Sequence, residues 1–137
     1  LFANSEENMK QSPLMEMAVT RGRLMESLIE RQSAIEINRA YSELAFLAGL
    51  LSLLDVQLAI SMNELVEQLN LSEELCKALL FREGPLGTLL SLCECMESGN
   101  CGETAEILHK IRMNESEFLQ TQLEAINWTN NLCSSAQ

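Results

Sequence analysis

Apolar residues recur three and four positions apart along most of the chain, and this spacing places them on one face of an α-helix. The first such segment is predicted to run from Pro13 to about residue 31, with Ser12 as its N-cap and proline at the first helical position, where a missing N–H costs nothing. The second is predicted from about residue 36 to about residue 60. It is apolar on most faces between residues 44 and 58, so we expect other helices to surround it.

Polar residues with the spacing of helix caps mark where the later helices begin. The predicted caps are Ser61 with Glu64, Ser72, and Asn114 with Glu117. Gly84 and Pro85 are predicted to end one helix and start the next, because proline is tolerated in a first helical turn but not in a helix interior. Residues 98–102 are predicted to form a loop before a helix over about residues 105–111. The pattern therefore predicts about seven helices and no strand.

The longest uncharged apolar run covers residues 44–54 and is closed by Asp55. A membrane-spanning helix needs about 20 apolar residues, so this run is predicted to be a core helix. Leu50, Leu53 and Leu54 are accordingly predicted to be buried. Gly49 costs a helix about 1 kcal/mol relative to alanine, and we expect a neighbouring helix to cross close to its backbone and recover that cost.

Composition and charge restrict the domain count and the partners. The 137 residues are enough for one domain with its own core, and residues 1–137 are interpreted as a single domain. Aromatic residues make up only 4% of the chain, which leaves a core of aliphatic residues that favour helices. The net charge is −11. Because phosphate backbones and anionic lipid headgroups repel such a chain, we expect neither nucleic-acid binding nor membrane insertion.

The five cysteines are an odd number without a paired framework, so we expect reduced thiols and a cytoplasmic location. The chain does not open with a charged leader, an apolar stretch and a small-residue cleavage site, so no secretory leader is expected. Residues two apart on a helix point about 200° apart, so Cys93 and Cys95 would not share a metal ion on an unbroken helix. No metal or other cofactor is therefore expected. The plausible zinc ligands are Cys93, Cys95, Cys101 and His109.

The sequence also argues against a catalytic site. It has one histidine and no His-Asp dipeptide, whereas metal-dependent His-Asp phosphohydrolases need several such ligands. A cysteine nucleophile needs a nearby base, and no spacing pairs His109 with a particular thiol. A P-loop needs a lysine and a hydroxyl residue after its glycines. No lysine and hydroxyl residue follow Gly84, Pro85 and Gly87 in that spacing, and these residues are predicted to form a corner between two helices.

Several charged residues are candidates for partner recognition or for structural contacts. Arg21 and Arg23 either form a solvated pair with acidic neighbours or recognise a carboxylate of a partner. Asp55 or Glu83 is expected to accept hydrogen bonds from Arg82 or from the free N–H groups of a helix start.

Five segments, in this order and spacing, resemble the HDOD domain of bacterial EAL-HDOD signalling proteins. The segments are VTRGR at 19–23, AFLAGLLSLLD at 45–55, LSEEL at 71–75, REGPLG at 82–87 and EAINW at 124–128. Three positions depart from the family pattern. Gly22 lies where the family pattern has a larger residue, and Met96 and Cys101 lie where it has aromatic residues.

The resemblance implies an all-α, orthogonal bundle of about seven helices that is HD-domain-like and corresponds to the C-terminal part of an HDOD domain. It implies a non-catalytic signal-transduction module that acts by protein–protein interaction, with a cyclic-di-GMP phosphodiesterase-like EAL domain upstream. The expected partners are other domains of the parent protein, partner signalling proteins, or a second copy in a homodimer. Two alternatives stay open: a stand-alone helical adaptor or dimerisation domain, and a redox or metal sensor that uses Cys93, Cys95, Cys101 or Cys133.

Overall fold

The computed structural model describes residues 13–32 and 39–135, which form eight α-helices and no strand. The all-α fold class is therefore confirmed. The helices are α1 (Pro13–Glu30), α2 (Arg39–Leu51), α3 (Leu54–Leu58), α4 (Met62–Leu69), α5 (Glu73–Phe81), α6 (Gly84–Glu97), α7 (Cys101–Lys110) and α8 (Glu115–Ser135). No helix within these ranges is both long enough and apolar enough to cross a membrane.

The predicted second helix is two helices, and the prediction that it continues to about residue 60 is wrong. The chain leaves the α2 helix after Leu51, where the Ser52 hydroxyl donates a 2.7 Å hydrogen bond to the carbonyl oxygen of Gly49. Serine side chains that bond back to the helix backbone in this way compete with regular helical geometry. The short α3 then ends at Ala59, which has a left-handed backbone conformation. The predicted start near residue 36 lies outside the described residues.

Two glycines allow α1 and α2 to cross in backbone contact. A Cβ atom added to Gly49 would lie 2.6 Å from the Cα atom of Gly22 and 2.7 Å from the carbonyl oxygen of Arg21. This confirms the predicted close crossing at Gly49. It also explains Gly22, whose own added Cβ atom would lie 2.9 Å from the carbonyl oxygen of Phe46.

The core is formed between α1, α2 and the helices that follow them. Its largest fully buried side chains are Phe118, Met25, Leu28, Ile29, Leu65, Leu75, Leu86, Leu89, Leu90 and Leu92. The predicted burial of Leu50, Leu53 and Leu54 is wrong, because all three are only half-buried. The α2 helix buries Ala45, Ala48 and Leu51 in the core, whereas Phe46 and Leu50 on its other side are only half-buried.

Most of the later helices begin at a residue whose side chain caps the first turn. The predicted caps are confirmed, because the side-chain oxygens of Ser61, Ser72 and Asn114 accept hydrogen bonds from backbone N–H groups at 3.2, 3.4 and 2.8 Å. The sequence prediction missed Asn100, whose side chain accepts from the N–H of Glu103 and caps α7. That helix therefore begins inside the predicted loop, at Cys101. The Ser12 cap lies outside the described residues.

Candidate interaction site

An apolar groove of about 300 Å³ lies between the first half of α1, the end of α2, α3 and the last part of α8. Its walls include Val19, Phe46, Leu50, Leu53 and Trp128. Ligand pockets for small molecules measure about 300 to 1,000 Å³, so this groove is at the small end of the range. A space of this size suits one or two large apolar side chains of another helix or segment.

Three of the segments that carry the family resemblance meet at this groove. Val19 comes from the segment 19–23, Trp128 comes from 124–128, and the larger side chains of α2 come from 45–55. The sequence pattern predicts those α2 side chains in the core and therefore does not reveal the groove. Gly49 helps to set their position, because it lets α2 cross α1 in backbone contact.

Contacts with its neighbours fix Trp128 in the groove wall. The rings of Phe46 and Trp128 pack edge to face, with centroids 6.2 Å apart and planes at 78°. The guanidinium carbon of Arg23 lies 5.4 Å from the centre of the Trp128 ring, a cation–π distance, and Arg23 also forms an ion pair with Glu26. Arg23 is half-buried and packs against the ring of Trp128, which itself lines the groove.

Arg21 is buried, which corrects the expectation of a solvated pair. Its guanidinium forms a two-point ion pair with Glu97 at the end of α6, including an Nε–Oε2 contact of 3.0 Å. Nη1 of Arg21 donates to the Ser52 hydroxyl at 2.8 Å. Arg21 lies inside because the neighbouring Gly22 lets α1 approach α2 so closely. It joins α1, α6 and the break between α2 and α3, and each of its three guanidinium nitrogens donates a hydrogen bond.

Arg82 makes a second ion pair, with a partner that the sequence pattern does not predict. Its Nε and Nη2 atoms donate to the carboxylate of Glu94 at 2.7 and 2.8 Å, and Nη1 donates to the carbonyl oxygens of Ala78 and Leu79. The expected acceptors, Asp55 and Glu83, do not hydrogen-bond to Arg82. Oδ1 of Asp55 is buried without a hydrogen-bond partner among the described residues, and Glu83 precedes α6 without capping it through its side chain.

The REGPLG segment forms the predicted corner between α5 and α6. Arg82 ends α5 in a left-handed conformation, Gly84 has a φ of 78°, and Pro85 lies in the first turn of α6. A Cβ atom added to Gly87 would lie 2.2 Å from the carbonyl carbon of Arg82. The two glycines therefore let the chain reverse tightly, and this brings Arg82 within reach of Glu94 on the next helix.

Two longer proteins each contain a segment similar to this chain. The protein named Cyclic di-GMP phosphodiesterase CdgJ, from Vibrio cholerae, is 38% identical over 94 residues, which are 69% of this chain and 22% of that protein. The Uncharacterized protein YuxH of Bacillus subtilis is 28% identical over 119 residues, which are 87% of this chain and 27% of that protein. The chain thus spans about a quarter of the length of these relatives. No family model matches it, and no solved structure does.

The Arg82–Glu94 ion pair leads to a prediction about acid stability. The hydrogen bonds from Arg82 hold the pKa of Glu94 below its ordinary value of 4.5. A carboxyl group with a lowered pKa stabilises the folded state fully above the unfolded-state pKa, and this contribution is lost as the pH falls through the folded-state pKa. Protonation of Glu94 is therefore expected to account for part of the unfolding free energy that is lost below about pH 4.5.

Urea unfolding measured between pH 6 and pH 3 tests this expectation. Glu94→Gln should make the decline of the unfolding free energy with falling pH shallower than in the unmodified protein. Arg82→Gln is the matched second variant, because it returns Glu94 towards its ordinary pKa and should flatten the same part of the profile. Parallel declines in all three proteins would show that the ion pair does not contribute.

The four residues named above as plausible zinc ligands do not all meet at one point in the structure. Cys93 is buried in the core with its sulfur 4.0 Å from that of Met25. Cys95, Cys101 and His109 border a cavity of about 380 Å³ between α6 and α7, and the thiol of Cys95 contacts a carboxylate oxygen of Glu103 at 3.1 Å. Within the part of the chain that the structure describes, no three cysteine, histidine or acidic side chains are arranged to hold a metal ion.

The thiols of α6 and α7 are expected to differ strongly in reactivity. Burial raises the pKa of Cys93 to about 12, so its reactive thiolate is scarce at pH 8. Cys101 is exposed and should react rapidly with a thiol reagent such as Ellman's reagent. Cys93→Ser should leave the rapid phase of the native protein unchanged and should remove one reactive thiol only after unfolding. Loss of a rapid thiol in Cys93→Ser would show that Cys93 is accessible.

Proposed function

We propose that this chain is a non-catalytic regulatory module of bacterial signalling, of the HDOD type, and that it acts by protein–protein interaction. The observation that carries the proposal is the groove beside Trp128, which is built from three of the segments that resemble the HDOD family. A concave apolar surface with a fixed aromatic side chain is typical of sites that anchor another protein.

The proposed context is cyclic-di-GMP signalling in the cytoplasm. It is supported by the similarity to a segment of a protein that is named a cyclic-di-GMP phosphodiesterase. Because the similar segment is about a fifth of that protein, we propose that this chain belongs to a longer protein in which an EAL domain lies upstream. The partners of the groove would then be another domain of the same protein or a separate signalling protein.

The groove is a poor place for catalysis. General acid–base chemistry needs a titratable side chain within hydrogen-bond reach of the reacting group. Among the described residues that line the groove, none titrates near neutral pH, and Gln57 supplies the one amide side chain. Apolar walls of this kind support binding through burial of an apolar anchor, since each buried CH₂ group contributes about 0.8 kcal/mol.

A bound partner can influence the rest of the fold through the break between α2 and α3. Leu53 and Leu54 lie at this break and line the groove, and Ser52 beside them is hydrogen-bonded to buried Arg21. Arg21 in turn holds Glu97 at the end of α6. We propose that filling the groove shifts this break, and that the contacts of Arg21 carry the shift to the far side of the domain.

An assay of the purified chain with cyclic-di-GMP tests the non-catalytic part of the proposal. With added Mg²⁺ or Mn²⁺, no linear dinucleotide should form, and calorimetry should detect no tight binding, because the net charge of −11 repels a dianionic ligand. Turnover that a chelator abolishes would contradict the proposal. A protein with an active EAL domain serves as the positive control.

A further inference from the structure

We propose that Cys95 and Cys101 form a binding site for a soft monovalent metal ion, Cu(I), between the end of α6 and the start of α7. Both residues line the cavity of about 380 Å³ between these helices, which shares none of its described lining residues with the groove beside Trp128. The site therefore goes beyond the regulatory function proposed above. It also differs from the tetrahedral zinc site that the sequence argues against.

Soft donor groups are concentrated at this cavity. Of the ten described residues that line it, five carry a thiol, a thioether or an imidazole: Cys95, Met96, Cys101, His109 and Met113. The whole chain has five cysteines, seven methionines and one histidine among 137 residues, which is about a tenth, against half at the cavity. Thiolate and thioether ligands select Cu(I), whereas Mg²⁺ and Ca²⁺ prefer oxygen ligands. The composition of the cavity therefore favours a soft ion.

A sharp turn brings the two proposed ligand residues together. The carbonyl oxygen of Cys95 accepts a 2.9 Å hydrogen bond from the backbone N–H of Asn100, the residue before Cys101. Gly99 allows this turn with a φ of 77°. The thiol of Cys95 contacts a carboxylate oxygen of Glu103 at 3.1 Å, so its sulfur faces the first turn of α7, the helix that Cys101 begins. The two thiol-bearing residues therefore lie at the same end of the cavity.

Two of the other soft residues lie at the far end of the cavity. His109 follows Cys101 by eight residues on the same helix, which places it about 12 Å further along the helix axis. The backbone N–H of Met113 bonds to the carbonyl oxygen of Leu108 at 3.0 Å, so Met113 also lies near that end. Cys93 is buried in the core and does not line the cavity. The proposed ligands are therefore the two thiolates of Cys95 and Cys101.

A site with two thiolates suits Cu(I) better than zinc or a disulfide. Structural zinc sites need about four ligands, and the described residues offer no group of three cysteine, histidine or acidic side chains for a metal ion. Cu(I) is satisfied by fewer soft ligands. A metal–thiolate bond measures about 2.3 Å, so one ion can join sulfurs about 4.6 Å apart, whereas a disulfide requires about 2 Å. An ion therefore needs less rearrangement of the two free thiols than a disulfide would.

The charge of the protein also favours a cation at this site. The net charge of −11 attracts cations, and Glu103 places a carboxylate beside the sulfur of Cys95. Burial and this carboxylate raise the pKa of Cys95, so its thiol is protonated at neutral pH. Binding must therefore displace protons: each of the two thiols releases one proton to solvent, and a single Cu(I) takes their place. The ion stays monovalent, so no electron is transferred.

Anaerobic titration of the reduced chain with Cu(I), in the presence of the chromophoric Cu(I) ligand bicinchoninate, tests the proposal. The unmodified chain should remove one Cu(I) per chain from this competitor. The double variant Cys95→Ser/Cys101→Ser should bind more than about a hundredfold more weakly, since even changes beside a metal ligand cost about 10- to 100-fold in affinity. The matched control is Cys76→Ser/Cys133→Ser, which also keeps three of the five cysteines but leaves the cavity thiols in place. It should bind Cu(I) as the unmodified chain does.

Thermal melting provides a second readout and verifies that both double variants are folded. Cu(I) should raise the melting temperature of the unmodified chain and of the control, but not that of the cavity variant, because an ion that binds the folded state more tightly stabilises it. The proposal is overturned if the unmodified chain leaves Cu(I) with the competitor, or if the cavity variant keeps its affinity. It is also overturned if the control loses as much affinity as the cavity variant, or if Zn²⁺ displaces Cu(I) from the site.

Discussion

Replacing Gly49 with alanine should destabilise the protein by about 3 kcal/mol, at the upper end of the usual cost of overpacking. The new methyl group would lie within 2.7 Å of the backbone nitrogen of Gly22 and the carbonyl oxygen of Arg21. These are backbone atoms, so no side chain can turn away to make room. The α1 and α2 helices must separate, and the loss of their contact outweighs the gain of about 1 kcal/mol in helix propensity.

Urea unfolding at neutral pH measures this effect, and Gly102→Ala is the matched control. Gly102 is also helical, but its added Cβ atom would meet only the Asn100 side-chain oxygen, at 3.9 Å. The control should be neutral or slightly stabilising. Equal stability changes in the two variants would mean that α1 and α2 lie farther apart at Gly49 than in the structure.

Replacing Glu97 with alanine should cost about 3 kcal/mol, because it leaves a buried cation without its counterion. The Arg21 side chain is only 5% exposed, and Ser52 alone cannot replace the two contacts that Glu97 supplies. Glu97 itself is 37% exposed, so water entering from its side places the expected loss at the lower end of the usual range. Chemical denaturation measures the change.

Removal of the other partner of the ion pair, and disruption of an ion pair at the surface, provide the controls. Arg21→Met removes the buried charge and fills a similar volume, so it should cost less than Glu97→Ala. Glu124→Ala breaks the exposed pair with Arg31 and should change stability by no more than about 0.5 kcal/mol. If Glu97→Ala behaves like Glu124→Ala, the Arg21 site is open to solvent.

Local features of the fold could be predicted from the sequence because their contacts span only a few residues. The caps at Ser61, Ser72 and Asn114 each depend on an N–H group three positions away. The corner at Gly84 and Pro85 depends on backbone conformations that few other residues adopt. The helix crossing at Gly49 could also be predicted, because a glycine in an apolar helix costs stability that a close helix contact recovers.

Other features depend on how the helices meet, and no local pattern encodes that. Apolar residues occupy every side of α2, so the sequence did not reveal which side would remain at the surface and form the groove. The burial of Arg21 follows from the closeness of α1 and α2 at Gly22. Arg82 pairs with Glu94, and not with Asp55 or Glu83, because the corner brings α6 back along α5.

The central claim is that the groove beside Trp128 binds another protein surface. Gln57→Trp should fill this groove without disturbing the core, since Gln57 is exposed and borders it. The matched control is Gln68→Trp, at an exposed position on α4. Titration calorimetry would measure binding of each purified chain to the longer protein from which this segment has been deleted. The account predicts binding by the unmodified chain and by Gln68→Trp, and binding about tenfold weaker or absent for Gln57→Trp. Equal binding by both variants would contradict it, and no binding by the unmodified chain would exclude another domain of the same protein as the partner of the groove.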